Sequence, residues 1–301
     1  MIKYLKHSQI DKQKWDACIE KSHNGLMYAL SWYLDCVSPN WDVLVLDDYE
    51  AVMPLTWRRK YGIKYLFVPY YTHRLGIFGS KEKVEQNSTA FVESIPKSFH
   101  HVHYSFNSYN HLQTNKVKLS SNNLDFLKLD SDYKDLQSKY SKNHKKNIRK
   151  AKKQNLKIEE NIEVSEFCND YIGIHSASGK FSEFEGIFDV FRPLCGRINK
   201  HLKTYGCRIK SDNETDAVIM LAFFRGRAIF HSAASQKGRK NKAQYLLIDH
   251  VIRKFSGSGT TMDFAGSNIK SISYRNKGYS ASSESFYSVY YFRFLNTIIN
   301  R

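Results

Sequence analysis

One stretch of this chain leaves a fold few choices. Lys139–Lys157, KYSKNHKKNIRKAKKQNLK, carries nine lysines and arginines, and no acidic residue occurs between Gln137 and Ile158. Charge at that density is either a polyanion-binding surface or the solvated faces of one helix. Leu136, Tyr140, His144, Ile148 and Ala151 recur at three- and four-residue steps, which gives a helix one narrow buried stripe. The segment therefore reads as an amphipathic helix, capped by Asp132 and running to about Asn155, that opens a second folding unit near mid-chain.

The rest of the pattern is mixed. Asp11–Glu20, Met27–Val37 and Lys83–Ile95 space their apolar residues as helices. Trp41–Leu46 and Ala51–Trp57 read as strands joined by a hairpin-like connection, Asp47-Asp48-Tyr49-Glu50, and His100–Phe106 as another strand. A second series follows in similar order. Leu124–Leu129 reads as a strand, and Val164–Ser176 and Ile187–Thr204 as helices. Cys207–Ser211, Ala217–Arg225 and Ala228–Ser235 are strands with turns at Asp212-Asn213-Glu214 and Arg225-Gly226-Arg227. Leu247, Ile248, Val251, Ile252 and Phe255 form one apolar helical stripe, ended by Ser256-Gly257-Ser258-Gly259, and Thr260–Phe264 begins a strand. The expectation is an α+β protein of two units, residues 1–120 and 121–301.

Composition narrows the function classes. The net charge of +17 favours an anionic partner: a nucleic acid, a phosphorylated cofactor or an anionic membrane surface. A merely basic soluble protein is the plain alternative. Five cysteines, with no CxxC, suggest neither a disulfide framework nor a zinc knuckle. No signal peptide is legible in MIKYLKHSQIDKQKW. The apolar run Ala217–Phe224 is far too short to span a bilayer. A cytoplasmic protein without a transmembrane segment is expected.

Two local patterns carry chemistry. The strand from Ala228 runs into Ser235, Gln236, Lys237, Gly238, Arg239, Lys240, Asn241, Lys242 and Ala243, then into the amphipathic helix. A basic loop at a helix N-terminus attracts phosphate through free N–H groups, the helix dipole and the lysines; an ordinary loop with solvated lysines has the same sequence. Asp263-Phe264-Ala265-Gly266-Ser267 ends a strand on an acid and a glycine turn, which places a side chain at a cleft or simply caps the loop. His175 and Lys180 sit at a helix end, from which Lys180 can reach a cleft. His101 and His103 share a strand face, but no Cys or acidic residue lies nearby in sequence, so no metal is expected.

Three features together resemble a family. Ser141-Lys142-Asn143-His144-Lys145-Lys146-Asn147-Ile148-Arg149-Lys150-Ala151 is similar to a helix of the form S-x-x-x-(R/K)-(R/K)-x-I-(R/K)-(R/K)-A. A strand–turn–strand–helix runs from Ala217 to Phe255. Asp263 to Ser267, followed by Lys277-Gly278-Tyr279, is similar to an ending of the form DF-x-G-(S/G)…(K/F)-G-(A/Y). In this order, over about residues 124–291, they resemble GNAT-type acyltransferases of the branch that includes the FemAB peptidyltransferases. The resemblance implies tandem GNAT-like units, each a mixed, mostly antiparallel sheet flanked by helices. It implies an acyl-CoA co-substrate held at Ser235–Ala243 and a small-molecule or peptide amine acceptor near Lys180, Gly266, Ser267 and Lys277. A departure is visible: conventional members hold pyrophosphate with (R/Q)-x-x-G-x-(G/A), and here Gly238 takes the first position and Asn241 replaces the central glycine.

The chemistry the resemblance implies is direct attack of a neutral amine on a thioester or ester carbonyl. His231 and Asp263 are the candidate bases, Tyr274 and Tyr245 the candidate acids, and backbone N–H groups of His231–Ser235 the candidate oxyanion donors. Acyl transfer from an acyl-CoA leads. FemAB-like transfer from an aminoacyl-tRNA to a cell-wall precursor is the second reading, although no long helical-hairpin insertion is legible. A non-catalytic nucleic-acid-binding protein, driven by charge, is the third.

Overall fold

A computed structural model of the chain describes residues 1–112, 119–179 and 186–293. The chain divides into two units, residues 1–123 together with residues from 285 onward, and residues 124–284. The expected boundary, 120/121, lies near the first of these divisions. The return of the C-terminal strand to the first unit has no counterpart in that expectation.

The first unit runs β1 (Ile2–Leu5), α1 (Lys12–Lys21), α2 (Ser31–Val37), β2 (Trp41–Leu46), β3 (Ala51–Lys60), β4 (Ile63–Leu66), β5 (Phe78–Gly79), α3 (Lys81–Glu93) and β6 (His101–Ser105). The helix expected over Met27–Val37 is interrupted. Leu30 is extended, and the Asp16 carboxylate takes both the Ser31 N–H (2.7 Å) and the Ser31 hydroxyl (2.6 Å), so α2 starts afresh there.

The second unit runs β7 (Leu119–Lys128), α4 (Tyr133–Ser138), α5 (Lys142–Lys152), β8 (Ile158–Glu160), α6 (Val164–Ala177), α7 (Ile187–His201), β9 (Lys203–Ser211), β10 (Glu214–Phe224), β11 (Arg227–Ala234), α8 (Gln236–Lys240), α9 (Ala243–Phe255), β12 (Thr261–Asp263) and α10 (Lys270–Gly278). The single helix expected from Asp132 to Asn155 is two helices. Ser141 caps a new start, its Oγ accepting the His144 N–H at 3.2 Å, while its own N–H donates to the Gly278 carbonyl at 3.0 Å. The stripe survives the break: Leu136, Tyr140, His144, Ile148 and Ala151 are all buried.

The last strand, β13 (Ser282–Phe292), was not expected and pairs with β6 from Ser288 to Phe292. The first unit's strands lie in the order β1-β2-β3-β4-β6-β13, with β5 on β3, and the second unit's in the order β7-β12-β11-β10-β9-β8. Among the pairings described, β4–β6 and β11–β12 are parallel and the others antiparallel. Each unit is thus a mixed, mostly antiparallel sheet with helices. The hairpin turns expected in the second unit are present: Asp212 and Asn213 (φ 51° and 64°) and Arg225 and Gly226 (φ 50° and 72°) take the left-handed pairs that a tight hairpin needs.

The second unit's sheet is sandwiched. Ala217, Ile219 and Leu221 of β10 and Ala228, Phe230 and Ala234 of β11 share one core with Leu247, Ile248, Val251 and Ile252 of α9 and with Ile148 and Ala151 of α5. Alternation sends Val218, Met220 and Ala222 to the other face, where α6 packs. Each fully buried Leu, Ile or Val contributes about 1.5–3 kcal/mol, so the helices are anchored on both faces and the site's elements are fixed in place.

Candidate active site in the second unit

The site begins where the sheet stops being complete. β11 pairs with β10 along its whole length, Arg227 to Ala234. It pairs with β12 only over Arg227–Ile229. β12 ends there because Asp263 Oδ1 accepts the Ala265 N–H (3.0 Å) and Ala265 and Gly266 turn away with φ of 46° and 54°. Beyond Ile229 the flank of β11 is therefore not covered by β12. Backbone direction alternates along a strand. The Thr261 N–H donates to Gly226 O on the β12 side, and the Ser235 N–H donates to Asp216 O on the β10 side. The N–H groups of Ser232 and Ala234 consequently face the flank that β12 vacates.

A cavity of about 410 Å³ opens on that flank. Ser232, Ala233 and Ala234 of β11 form its floor, α6 contributes His175, and α10 contributes Ser271, Ile272 and Arg275. Arg239, Lys242, Gln244 and Tyr245 come from α8 and the start of α9. Three of the lining residues are cations, Arg239, Lys242 and Arg275, and no carboxylate lines it among the described residues. Arg239 is placed by a 2.7 Å bond to the Ala234 carbonyl. Arg275 is held by the Asn276 side-chain oxygen, at 3.2 and 3.0 Å, and lies over the Phe230 ring. Burial pulls the Arg275 pKa down, but a guanidinium remains charged at any ordinary pH. Lys242 adopts φ 67°, which turns the chain into α9.

The loop expected between Ser235 and Ala243 contains a short helix, α8, instead. Ser235 Oγ accepts the Gly238 N–H (3.0 Å), Ser235 O the Arg239 N–H (3.0 Å), Lys237 O the Asn241 N–H (2.9 Å), and Asn241 Oδ1 the Ala243 N–H (3.0 Å). The amides that would cradle a pyrophosphate in an open loop are engaged within the chain. Gly238 serves packing: a Cβ there would stand 1.8 Å from the Asp216 carbonyl oxygen. Lys237 pairs with Asp212, and Gln236 and Lys240 are exposed and do not line the cavity.

The first and third sequence motifs meet beside the cavity. His144 is buried, with Nδ1 2.9 Å from Ser141 Oγ and Nε2 2.9 Å from the Arg275 carbonyl. Its ring lies on Gly278, where a Cβ would fall 1.8–2.2 Å from three ring atoms. Tyr245 and Tyr279 meet it edge-on, at centroid distances of 5.0 and 4.7 Å. Burial lowers the His144 pKa, so the ring is neutral at pH 7. Burial raises that of Tyr245, which keeps its phenol protonated. Basic α5 thus positions α10, and with it Arg275.

The candidate residues separate cleanly. Tyr245, Arg239, Lys242 and Gly238 come together at the cavity. Tyr274 is 66% exposed and does not line it, although it influences Tyr245 electrostatically. His231 alternates to the face on which α6 packs, and Asp263 is buried beside Arg227 at 3.2 Å; neither lines the cavity. Ser267 is a brace: its Oγ accepts the Asp125 N–H at 2.9 Å and donates to Ala265 O at 3.1 Å. Gly266 makes the turn after β12, Ala243 is in the core, and Lys277 is exposed. Lys180 lies outside the described residues. Sequence reasoning gave no role to His175, Gln244 or Arg275, and to Ser232 only one for its backbone N–H. Arg275 was findable as the residue two before the Lys277 motif; His175 had no sequence signal beyond its place at a helix end. Among the described residues no group of three or more His, Cys, Asp or Glu could hold a metal, and no helix is long and apolar enough to cross a membrane.

No family model and no curated protein matches this chain. Solved structures do. The chain is similar to FemX (TM-score 0.66, 10% identity, 99% of this chain and 100% of that one). It is similar to L-PGS from Bacillus licheniformis (0.52, 11%, 93% and 91%). It is also similar to a tandem GNAT protein from the clavulanic acid biosynthesis pathway (0.52, 9%, 96% and 98%). The fold is therefore the expected tandem GNAT-like one.

Proposed function

We propose that the second unit is an N-acyltransferase that takes its acyl group from a phosphate-bearing carrier and passes it directly to an amine. The observation that carries this is the cavity on the open flank of β11, lined by Arg239, Lys242 and Arg275 with no carboxylate among the described residues. A cluster of cations without counter-charge suits a polyphosphate. The thioester or ester carbonyl would lie along β11, with the Ser232 and Ala234 N–H groups as oxyanion donors, oriented before the reaction begins. Tyr245, kept protonated by burial, is placed to donate to the leaving group. His175 is the one imidazole on the cavity wall among the described residues and is our candidate to take the proton from the attacking amine. The fold likeness to FemX and to a tandem GNAT protein supports this class.

Acyl-CoA is the leading donor. An aminoacyl-tRNA is the second reading, favoured by one specific observation: the amides of residues 238, 239, 241 and 243 are bonded internally, so the loop lacks the backbone cradle that suits a CoA pyrophosphate. Calorimetric titration with acetyl-CoA, and separately with a charged tRNA, separates the readings. If CoA binds, Arg275→Ala weakens it at least tenfold, and acetyl-CoA at 100 times its Kd stabilises the fold by about 2.7 kcal/mol. Binding of tRNA alone, steeply dependent on salt, with aminoacyl transfer to an amine, moves the donor to tRNA. RNA binding with no transfer from either donor would sink the enzymatic reading in favour of a nucleic-acid-binding protein.

A further inference from the structure

A second cavity, of about 240 Å³, lies between α6 and α7, away from the one described above. Cys168 and Cys195 line it together, one from each helix. The Cys195 side chain is close enough to act directly on the Cys168 thiol. The helices pack through Phe191, whose ring centroid is 4.7 Å from that of Tyr171 and 6.2 Å from that of Phe167. Arg192 lines the same cavity and is tied to Asn169 at 3.1 Å. Gly196 stands next to Cys195, and nothing occupies the 4 Å around the place its Cβ would take, so the groove stays open there.

All five cysteines are free thiols. We infer that Cys168 and Cys195 form a reversible dithiol–disulfide site, oxidised through this groove by small disulfides such as oxidised glutathione. Two thiols buried only as packing would need neither a polar-rimmed cavity nor a guanidinium beside them. Here Ser165, Asn169 and Asn199 rim the opening, and Arg192 supplies positive charge. A thiolate is the reactive form, and cation proximity and hydrogen bonding favour it. The neighbouring Cys195, helped by Arg192, lowers the Cys168 pKa despite burial. Cys207 and Cys18 are pushed the other way by burial, to about 12 and about 11. Cys207 and Cys18 are thereby less reactive than Cys168. Two thiols alone are too few for a metal, so exchange is the chemistry that fits.

The step balances. The Cys168 thiolate attacks one sulfur of oxidised glutathione, forming a mixed disulfide and releasing one glutathione thiolate. Cys195 gives its proton to that thiolate or to water, attacks the Cys168 sulfur and expels the second glutathione. Two protein thiols are oxidised, and one glutathione disulfide is reduced to two thiols. This chemistry is independent of acyl transfer.

The test uses the whole native protein in glutathione buffers of graded redox ratio, quenched by acid and alkylation and mapped by mass spectrometry. The expected result is a Cys168–Cys195-linked peptide, lighter by two hydrogens, that accumulates as the buffer becomes oxidising and disappears with dithiothreitol, while Cys207 stays alkylatable. Iodoacetamide should modify Cys168 at least tenfold faster than Cys207. Cys195→Ala should stop at the glutathione adduct of Cys168. If that variant does not fold, the wild-type exchange and alkylation rates decide alone. The inference is overturned if native protein in excess oxidised glutathione keeps both thiols, if a glutathione adduct persists on Cys168 beside a free Cys195, or if Cys168 alkylates no faster than Cys207.

Discussion

Gly278→Ala tests whether the basic helix α5 sets the position of α10. The new methyl carbon would stand 1.8, 2.2 and 2.2 Å from Cε1, Nδ1 and Nε2 of His144. The ring cannot yield cheaply, because it is buried and held at both nitrogens, by Ser141 Oγ and by the Arg275 carbonyl, each at 2.9 Å. Overpacking a core costs about 1–3 kcal/mol, and two lost buried hydrogen bonds about 1 kcal/mol each. Alanine returns up to about 1 kcal/mol of helix propensity. The net loss should be about 2–4 kcal/mol, read as a lowered urea midpoint by circular dichroism. In a His144→Ala background the obstacle is gone, so the same substitution should cost nothing or stabilise slightly. The coupling in that double-mutant cycle then equals nearly the whole single-mutant effect. A single mutant within 0.5 kcal/mol of wild type (about the noise of such measurements), or additive costs, would refute the account of the two motifs as one lock.

Three further outcomes follow from the same geometry. Gly238→Ala places a Cβ 1.8 Å from the backbone oxygen of Asp216, an obstacle that no rotamer relieves; α8 must shift, so thermal stability and donor affinity should fall together, and a variant with both unchanged contradicts the packing role. Arg208, buried, bonds Glu159 (2.7 Å), Glu166 (2.8 Å) and Asp170 (3.1 Å), tying α6 to β8 and β9; Arg208→Met should cost about 2 kcal/mol in denaturation, below the roughly 3–5 kcal/mol of a broken fully buried pair because the carboxylates are partly exposed, and Arg208→Lys should recover only part because an ammonium lacks the fork. Burial lowers the pKa of His144, and also of His101, His103 and His250; a neutral folded imidazole facing an unfolded one with a pKa of about 6.5 gives stability that is full above that pH and declines as pH drops toward the folded-state value. The urea midpoint should therefore fall from pH 7.5 to pH 5.5, and His144→Gln should flatten part of that fall.

What the sequence disclosed was what periodicity encodes. The stripe from Leu136 to Ala151 is buried as spaced, although the helix breaks at Ser141. The strands β10 and β11 and their left-handed turns were legible because apolar runs met Asp-Asn and Arg-Gly pairs. The strand β13 was missed: its aromatic run, SESFYSVYYF, buries mainly Phe286, Val289 and neighbouring residues, and its partner β6 is far away in sequence. The cavity wall was only partly legible for a different reason. Tyr245 and Arg239 follow the strand–helix unit directly, but His175 and Arg275 reach the cavity only because α6 and α10 pack around β11, and spacing within either helix does not report that. His231 illustrates the converse case. Its residue type suited a base, but strand alternation sends it to the opposite face from Phe230 and Ala234.

The departure from the conventional phosphate loop then acquires a cause. Where a glycine would leave amides exposed, Asn241 donates from Nδ2 to Asp216 (2.7 Å) and accepts the Ala243 N–H on Oδ1 (3.0 Å). It closes the connection between β11 and α9, so that under the proposed function a bound anion is left to the side chains of Arg239, Lys242 and Arg275. Asn241→Gly, which restores the conventional residue, should therefore not improve donor binding. It removes two hydrogen bonds, about 1 kcal/mol each, and adds chain flexibility worth about 0.5–1 kcal/mol, so stability should fall by about 2–3 kcal/mol. Donor affinity should stay equal or drop, and it should remain sensitive to salt, because partly exposed cations are screened over about 10 Å at 0.1 M. Calorimetric titration of the variant at low and high salt decides the matter: tighter binding with weaker salt dependence would mean that the loop amides hold the phosphate after all.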